Sequence, residues 1–312
     1  MPARNPTFTP AIGVDLGGSK IEAIVLDEHG ATRWRERVPT PAGDYHATLA
    51  AVAALVARAE ADLGLTHCRV GVGTPGSATG AGLIKNANST CLNGRPLARD
   101  LAAALGRPVR IANDANCLAL SEATDGAAAG AALSFAVILG TGVGAGIVAN
   151  GRLLEGPNGL AGEWGHVPLP WPDAAERDGP RCYCGRCGCI ETWLSGPALA
   201  RDHVQHGGEA LSAQEIGSRA ACGDAACEAT LRRYESRLAR SLALIVNLLD
   251  PQVIVLAGGV SALERLVANV PALWGAFVFS AGVQDAVRTR LVRSAHGDSS
   301  GVRGAAWLWR DR

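Results

Sequence analysis

The sequence carries no surplus of charge: its 312 residues include 29 basic and 29 acidic side chains, for a formal net charge of zero. A broad field of one sign draws a chain to nucleic acid or to an anionic membrane, so neither partner is expected and a small neutral or zwitterionic substrate fits better. Residues 1–10 hold three prolines and several polar groups but no apolar run, which excludes a secretory signal there and points to the cytoplasm. Heptads, low-complexity tracts and long linkers are also missing. Between Gly126 and Gly151 there is no charged side chain at all, a length that could span a bilayer. Glycines interrupt that stretch repeatedly, however, and its strongly apolar part, residues 135–139, is only of strand length. It reads as a buried strand entering a glycine loop.

What is present is enough chain for two ordinary domains. Residues 12–30 read as strand, tight turn at Gly17-Gly18, strand and exposed turn, with a third strand over 32–38. Asp44 is placed to cap a helix whose apolar positions Leu49, Val52, Leu55, Val56 and Ala59 recur at three and four residues, and Gly64 ends it. A strand over 69–73, a helix over 97–105 and a strand over 109–111 follow. The same grammar returns with a strand at 135–139, a loop from Gly140 to Gly146, a strand at 147–149 and an Asn150-Gly151 turn, so the chain reads as two related halves. A long helix is expected from about 225 to 249, then a strand at 253–256 running into Gly258-Gly259, a helix capped by Ser261, and a terminal helix from Gly301.

Three of these strands end in glycines, at Gly17-Gly18, Gly140 to Gly146 and Gly258-Gly259. Only glycine lets backbone N–H groups turn sharply and approach a phosphate chain with no Cβ between. Each loop alone is as readily a simple turn; three at strand ends point to a nucleotide. The Walker pattern is not met, because Ser19 stands before Lys20. Gly140-x-Gly142-x-x-Ala145 matches the dinucleotide fingerprint but leads into a strand instead of a helix, which argues against hydride transfer. Asp15, beside the first turn, is suited to face the Mg²⁺ of a nucleotide.

Of nine cysteines, four fall within Cys182-Tyr-Cys184-Gly-Arg-Cys187-Gly-Cys189, with His166 a short loop upstream. Zinc takes four N or S ligands in a tetrahedron, and His166, Cys182, Cys184 and Cys189 supply a closed, structural set, with Cys187 a fifth candidate. Cys68, Cys91, Cys117, Cys222 and Cys227 read as small packing residues. Glu163 and Glu191 flank the metal motif as charged acceptors suited to sugar hydroxyls. Asn113-Asp114-Ala-Asn116 follows a strand and opens a helical run; Asp114 is the candidate base for phosphoryl transfer to a hydroxyl, the competing reading being an N-cap.

These motifs together resemble the ROK family of bacterial repressors, open-reading-frame proteins and sugar kinases, over essentially the whole chain. They are Asp15-Leu-Gly-Gly-Ser-Lys20, Gly73-Thr-Pro-Gly76, Asn113-Asp114-Ala-Asn116, Gly140-Thr-Gly142, Glu163-Trp-Gly-His166 and the cysteine run ending at Glu191. The resemblance implies an α/β, actin-like ATPase (ribonuclease H-like) fold, with two αβ domains around a central cleft. The expected division is a small domain over 1–120, completed by a C-terminal helix over 301–312, and a large zinc-bearing domain over 121–300. It implies ATP and Mg²⁺ at Asp15, Gly17, Gly18, Ser19, Lys20, Gly140, Thr141, Gly142, Gly258 and Gly259. It also implies Asp114 as base, Asn113, Glu163, His166 and Glu191 around the sugar, His166 serving Zn²⁺ and sugar together, and a homodimer. Residues 85–94 and 296–307 resemble the manno(fructo)kinase branch, making fructose the first expected hexose, N-acetylglucosamine the rival, and Asn88 a sugar contact. A sugar-responsive regulator is the reading of another class; the eleven residues before Ile12 are too few for a winged helix-turn-helix.

Overall fold

A computed structural model describes residues 10–280 and 285–310. Residues 1–9, over which a signal was excluded, and the last two residues of the expected 301–312 helix lie outside the described residues. The chain divides into two compact units, one built from residues up to 129 with 153–161 and the segment from 298, the other from 130–152 and 162–297.

In the first unit β1 (Ala11–Leu16), β2 (Lys20–Leu26), β3 (Thr32–Pro39), β4 (Arg69–Thr74) and β7 (Val109–Asn113) form one sheet in the order β3-β2-β1-β4-β7; β5 (Ser77–Ala78) and β6 (Ile84–Lys85) make a small hairpin. β1 runs antiparallel to β2 and parallel to β4. The period of two along β1 sends Ile12, Val14 and Leu16 to one face, where they meet Val52, Leu55 and Val56 of α1 (Tyr45–Leu63) and Leu97 and Leu101 of α2 (Leu97–Leu105). Burying each such side chain contributes roughly 1.5–3 kcal/mol. Asp44 caps α1 by accepting the Ala47 N–H, and Gly64 closes it in the left-handed region.

The opposite face takes α3 (Asp114–Asp125) and the C-terminal helix Ser300–Trp307. That helix lies unusually close. A Cβ on Gly13 would sit 2.1 Å from Val302 O, and one on Gly304 would sit 1.7 Å from Cys117 O, so backbone meets backbone with no side chain between. Val302, Ala306 and Trp307 fill the remaining gap against Ile24, Leu26 and Leu120.

The second unit repeats the plan. β8 (Leu133–Leu139), β9 (Val143–Ala149), β10 (Arg152–Leu153), β11 (Val253–Ala257) and β12 (Arg290–Arg293) order as β10-β9-β8-β11-β12, with β8 antiparallel to β9 and parallel to β11, as β1 is to β2 and β4. The charge-free stretch is therefore a hairpin, and no helix among the described residues is long and apolar enough to cross a membrane. The other helices are α4 (Glu191–Leu194), α5 (Gly196–Gln205), α6 (Ala213–Ala221), α7 (Ala225–Leu249) and α8 (Arg265–Ala272). α7 lies across the core, with Leu231, Tyr234, Leu238 and Leu242 buried at helical spacing. Ser261 does not cap α8: it sits inside the turn Gly259–Ala262 with its hydroxyl donated back to Gly258 O at 2.7 Å, and α8 starts from Glu264 without a side-chain cap. Cys222 ends α6 in solvent, so it is no packing residue, whereas Cys68, Cys117 and Cys227 are buried.

One buried ion network joins the segment ahead of the cysteine run to α7. Glu176 accepts from Arg237 Nε at 2.8 Å and from Arg240 Nη1 at 2.7 Å, and Arg237 Nη1 also reaches Asp202 at 2.7 Å on α5. The two guanidinium groups outweigh burial and hold the Glu176 carboxyl down at about 2.

Candidate functional site

In the first unit, residues 17–19 turn β1 into β2. The Gly17 N–H bonds to Lys20 O at 3.0 Å, while Thr40, just past the end of β3, holds the turn through Ser19 O at 3.0 Å and Gly17 O at 2.8 Å. Gly18, Ser19 and Lys20 are thereby left exposed. Asp15 stands across the sheet register from Glu22, a like charge that is itself buried and paired with Arg35 and Arg37. Burial first, then the charges of Asp114 and Glu22, push Asp15 up to about 6 against Lys20 and Arg37. Two hard carboxylates repelling each other in this way suit a Mg²⁺ ion, which would relieve them.

The rival reading of Asp114 as an N-cap does not hold. Asn113 is the cap: its Oδ1 accepts the Ala115 N–H at 2.9 Å and its Nδ2 donates to Gly76 O at 2.9 Å. Asp114 is the first residue of α3, exposed, with Oδ1 accepting the Ala115 N–H at 2.7 Å. Asn113 also lines a cavity of about 250 Å³ with Ser77, Ile84, Ile111 and Asn116. Asn88 is elsewhere, in a hollow of about 250 Å³ shared with Gly18 and Thr40.

In the second unit the loop after β8 is tied by Gly140 N–H to Gly142 O at 3.0 Å and by Gly196 N–H to Gly140 O at 2.8 Å. Gly258 has φ of 84°, and a Cβ there would come within 2.5 Å of Leu139 O; glycine alone brings the end of β11 against the end of β8. Gly140, Thr141 and Gly259 line one hollow of about 430 Å³, which also takes in Gly196 and Ala213 from the first turns of α5 and α6. Helix N-termini favour negative charge, as a phosphate chain requires.

The turn Glu163–His166 is pressed onto β9, where a Cβ on Gly165 would meet Val143 O at 2.1 Å. Trp164 anchors it, edge-on to Phe135 at 5.8 Å, which leaves Glu163 exposed. His166 Nδ1 lies 3.5 Å from Cys182 Sγ, Cys184 Sγ lies 3.6 Å from Cys189 Sγ, and all four ligand atoms fall within 4.8 Å of one another. The edges of a zinc tetrahedron with bonds of ordinary length are about 3.6–3.8 Å, so these donors fit the ion. Burial and the neighbouring thiols push Cys189 up to about 12, and a bound cation would bring it to the thiolate. Cys187 is exposed and outside the four. Glu191, opening α4, accepts the Val143 N–H at 2.9 Å.

Tyr183 escaped the reading of the sequence. Its hydroxyl shares a hydrogen bond of 3.0 Å with His166 Nε2, and its ring stands edge-on to the imidazole at 5.1 Å while 77% exposed. The only signal was an aromatic residue between two candidate ligands. The bond fixes which imidazole nitrogen faces the cysteines.

A model of the ROK family matches residues 11–312. The chain belongs to the ROK family. Among its ROK relatives, the N-acetyl-D-glucosamine kinase of Salmonella gallinarum is 40% identical over 302 residues, covering 95% of this chain and 98% of the relative. The crystal structure of a ROK hexokinase from Thermus thermophilus is 32% identical with a TM-score of 0.81, covering 95% and 96% of the two chains. A ROK family glucokinase from Streptomyces griseus, solved with glucose and AMPPNP, is 28% identical with a TM-score of 0.77 over 96% and 99%. The two α/β units thus carry the actin-like ATPase fold, and within the ROK family this chain falls with the sugar kinases.

Proposed function

We propose that the protein transfers a phosphoryl group from Mg-ATP to N-acetyl-D-glucosamine. The observation that carries this reading is 40% identity, along nearly the full length of both chains, to relatives named N-acetyl-D-glucosamine kinase. Asp114 is the base: set just beyond the capping Asn113 and exposed, it accepts the proton of the sugar hydroxyl as that oxygen attacks the terminal phosphorus. Asn113, Glu163, His166 and Glu191 hold the sugar. Asp15 faces Mg²⁺, and Gly17 to Lys20, Gly140 to Gly142 and Gly258-Gly259 hold the nucleotide. Zn²⁺ at His166, Cys182, Cys184 and Cys189 is structural and stiffens the turn that bears Glu163 and His166.

Fructose is the second reading, favoured by the resemblance of residues 85–94 and 296–307 to the manno(fructo)kinase branch; the relatives above weigh against placing it first. The deciding experiment is ADP release from Mg-ATP with fructose, mannose, glucose, N-acetylglucosamine and N-acetylmannosamine in turn. The highest kcat/KM on N-acetylglucosamine supports the first reading, and preference for fructose or mannose replaces it with the second. No turnover by folded, zinc-loaded protein would discard both and leave a sugar-binding regulator.

A further inference from the structure

Two buried polar atoms in the first unit have no hydrogen-bond partner and line the same cavity: Ser77 Oγ on β5 and Asn116 Oδ1 on α3. A buried acceptor left unpaired costs free energy, roughly 1–3 kcal/mol, unless a ligand or water completes it. On the same wall Thr79 Oγ1 is already engaged, accepting the Leu83 N–H at 3.1 Å. Asn113, one helical turn before Asn116, spends its amide on Gly76 O and the Ala115 N–H. The rest of the wall includes the apolar side chains Ile84 and Ile111 and, exposed to solvent, Glu155 and Asn158; the volume is about 250 Å³.

The cavity therefore asks for a small group with one hydrogen-bond donor for Asn116, one acceptor for Ser77 and an apolar end for the isoleucines. A hydroxyl offers a donor and an acceptor on a single oxygen and has no apolar end. A secondary acetamide separates the three functions: an N–H, a carbonyl oxygen and a methyl group. The cavity also reaches Asn113, the chain neighbour of Asp114. We propose that this cavity is the acetamido subsite, in which Asn116 accepts the amide N–H and Ser77 donates to the amide carbonyl, making Ser77, which lies outside the motifs of the family, the determinant of selectivity for a 2-acetamido sugar over its 2-hydroxy counterpart. This rests on the reading of the protein as an N-acetyl-D-glucosamine kinase.

A site that hydrogen-bonds one substrate group discriminates strongly against analogues lacking it, and removing its partner removes that discrimination. The test measures KM and kcat for N-acetylglucosamine and glucose on the full chain, for the parent, Ser77→Ala and Asn116→Ala, with Kd for both sugars by calorimetry where glucose turnover is too slow. Each substitution should raise the ratio of KM (or Kd) for N-acetylglucosamine to that for glucose about tenfold. Thermal melting checks that each variant folds; if Asn116→Ala does not, Ser77→Ala decides alone. If the parent turns over N-acetylglucosamine but the variants shift both sugars equally or neither, the subsite assignment is wrong and the kinase reading stands. If the parent turns over no N-acetyl sugar, both fall.

Discussion

The carboxylate of Glu191 and the backbone N–H of Val143 are joined at 2.9 Å, so the residue that follows the cysteine run also braces the glycine loop between β8 and β9. On the proposed reading one side chain then serves two jobs, as a charged acceptor for the sugar and as a tie on the loop that would hold the phosphates. Glu191→Ala should weaken both substrates together. Hydrogen bonds to a charged group are worth about 1.5–3 kcal/mol, so kcat/KM should fall roughly 10- to 100-fold, with KM rising for ATP as well as for sugar. A change confined to the sugar KM would separate Glu191 from the loop.

Asp114→Asn should abolish most turnover while leaving the fold intact, because Asn113 and not Asp114 caps α3. Loss of a general base typically costs about 10²–10⁴ in kcat. The expected result is that loss with sugar affinity and melting temperature close to those of the parent; near-normal turnover would remove Asp114 from the chemistry.

Elemental analysis of the purified protein should find one zinc per chain. Chelation, or Cys182→Ser, should lower the melting temperature and weaken sugar binding, whereas Cys187→Ser should keep the metal, since Cys187 stands outside the four donors. Retention of full sugar affinity and stability after complete metal loss would rule out the structural ion.

The carboxyl of Asp15 titrates in the folded protein at about 6, well above its ordinary 3.8. The folded state then binds this proton more tightly than the unfolded chain. The group's contribution is most favourable below the unfolded value and is lost as pH rises through 6. In magnesium-free buffer Asp15→Asn should therefore melt above the parent at pH 7, with the gap closing by pH 4, and added Mg²⁺ should stabilise the parent alone. Activity of the variant should be low. Parallel melting curves with no pH-dependent gap would contradict the assigned strain.

Glu176 behaves in the opposite sense. Held at about 2, its carboxylate stabilises the fold above its ordinary 4.5, and that contribution disappears as pH falls through 2. Glu176→Gln leaves Arg237 and Arg240 buried without their shared partner and should cost about 3–5 kcal/mol in a denaturant titration at pH 7. A loss below 1 kcal/mol would mean that water or Asp202 takes over the pairing.

Much of this was legible in the sequence where a residue type admits few uses. Asp44 and Gly64 bound α1, the apolar spacing of α7 placed it from Ala225 to Leu249, and the crowded cysteines with His166 yielded the four donors that converge. What escaped depends on distant parts of the chain. Nothing local distinguishes Ser261 as a cap from Ser261 as a turn brace, since both need one hydroxyl near a free backbone group. Gly13 and Gly304 looked like ordinary small residues; their role appears only when the helix 291 positions later in the chain lies on the strand. Tyr183, Ser77 and Asn116 are likewise defined by what they meet in space. The choice among hexoses was the least legible, because motifs shared by a whole family mark its common chemistry and not the substituent at one sugar carbon.

The close seat of helix Ser300–Trp307 against Gly13 of β1 and Cys117 of α3 also sets an order of events at the ribosome. The strands β1 to β4 emerge first, yet one face of their sheet waits for a helix made after the whole second unit. During synthesis that face, with Ile24 and Leu26 on it, is uncovered for as long as the intervening residues take to be translated. The first-made half of the protein is thus the last to be finished, and a nascent chain stalled short of Ser300 would present chaperones with an open sheet beside a second unit able to close its own core.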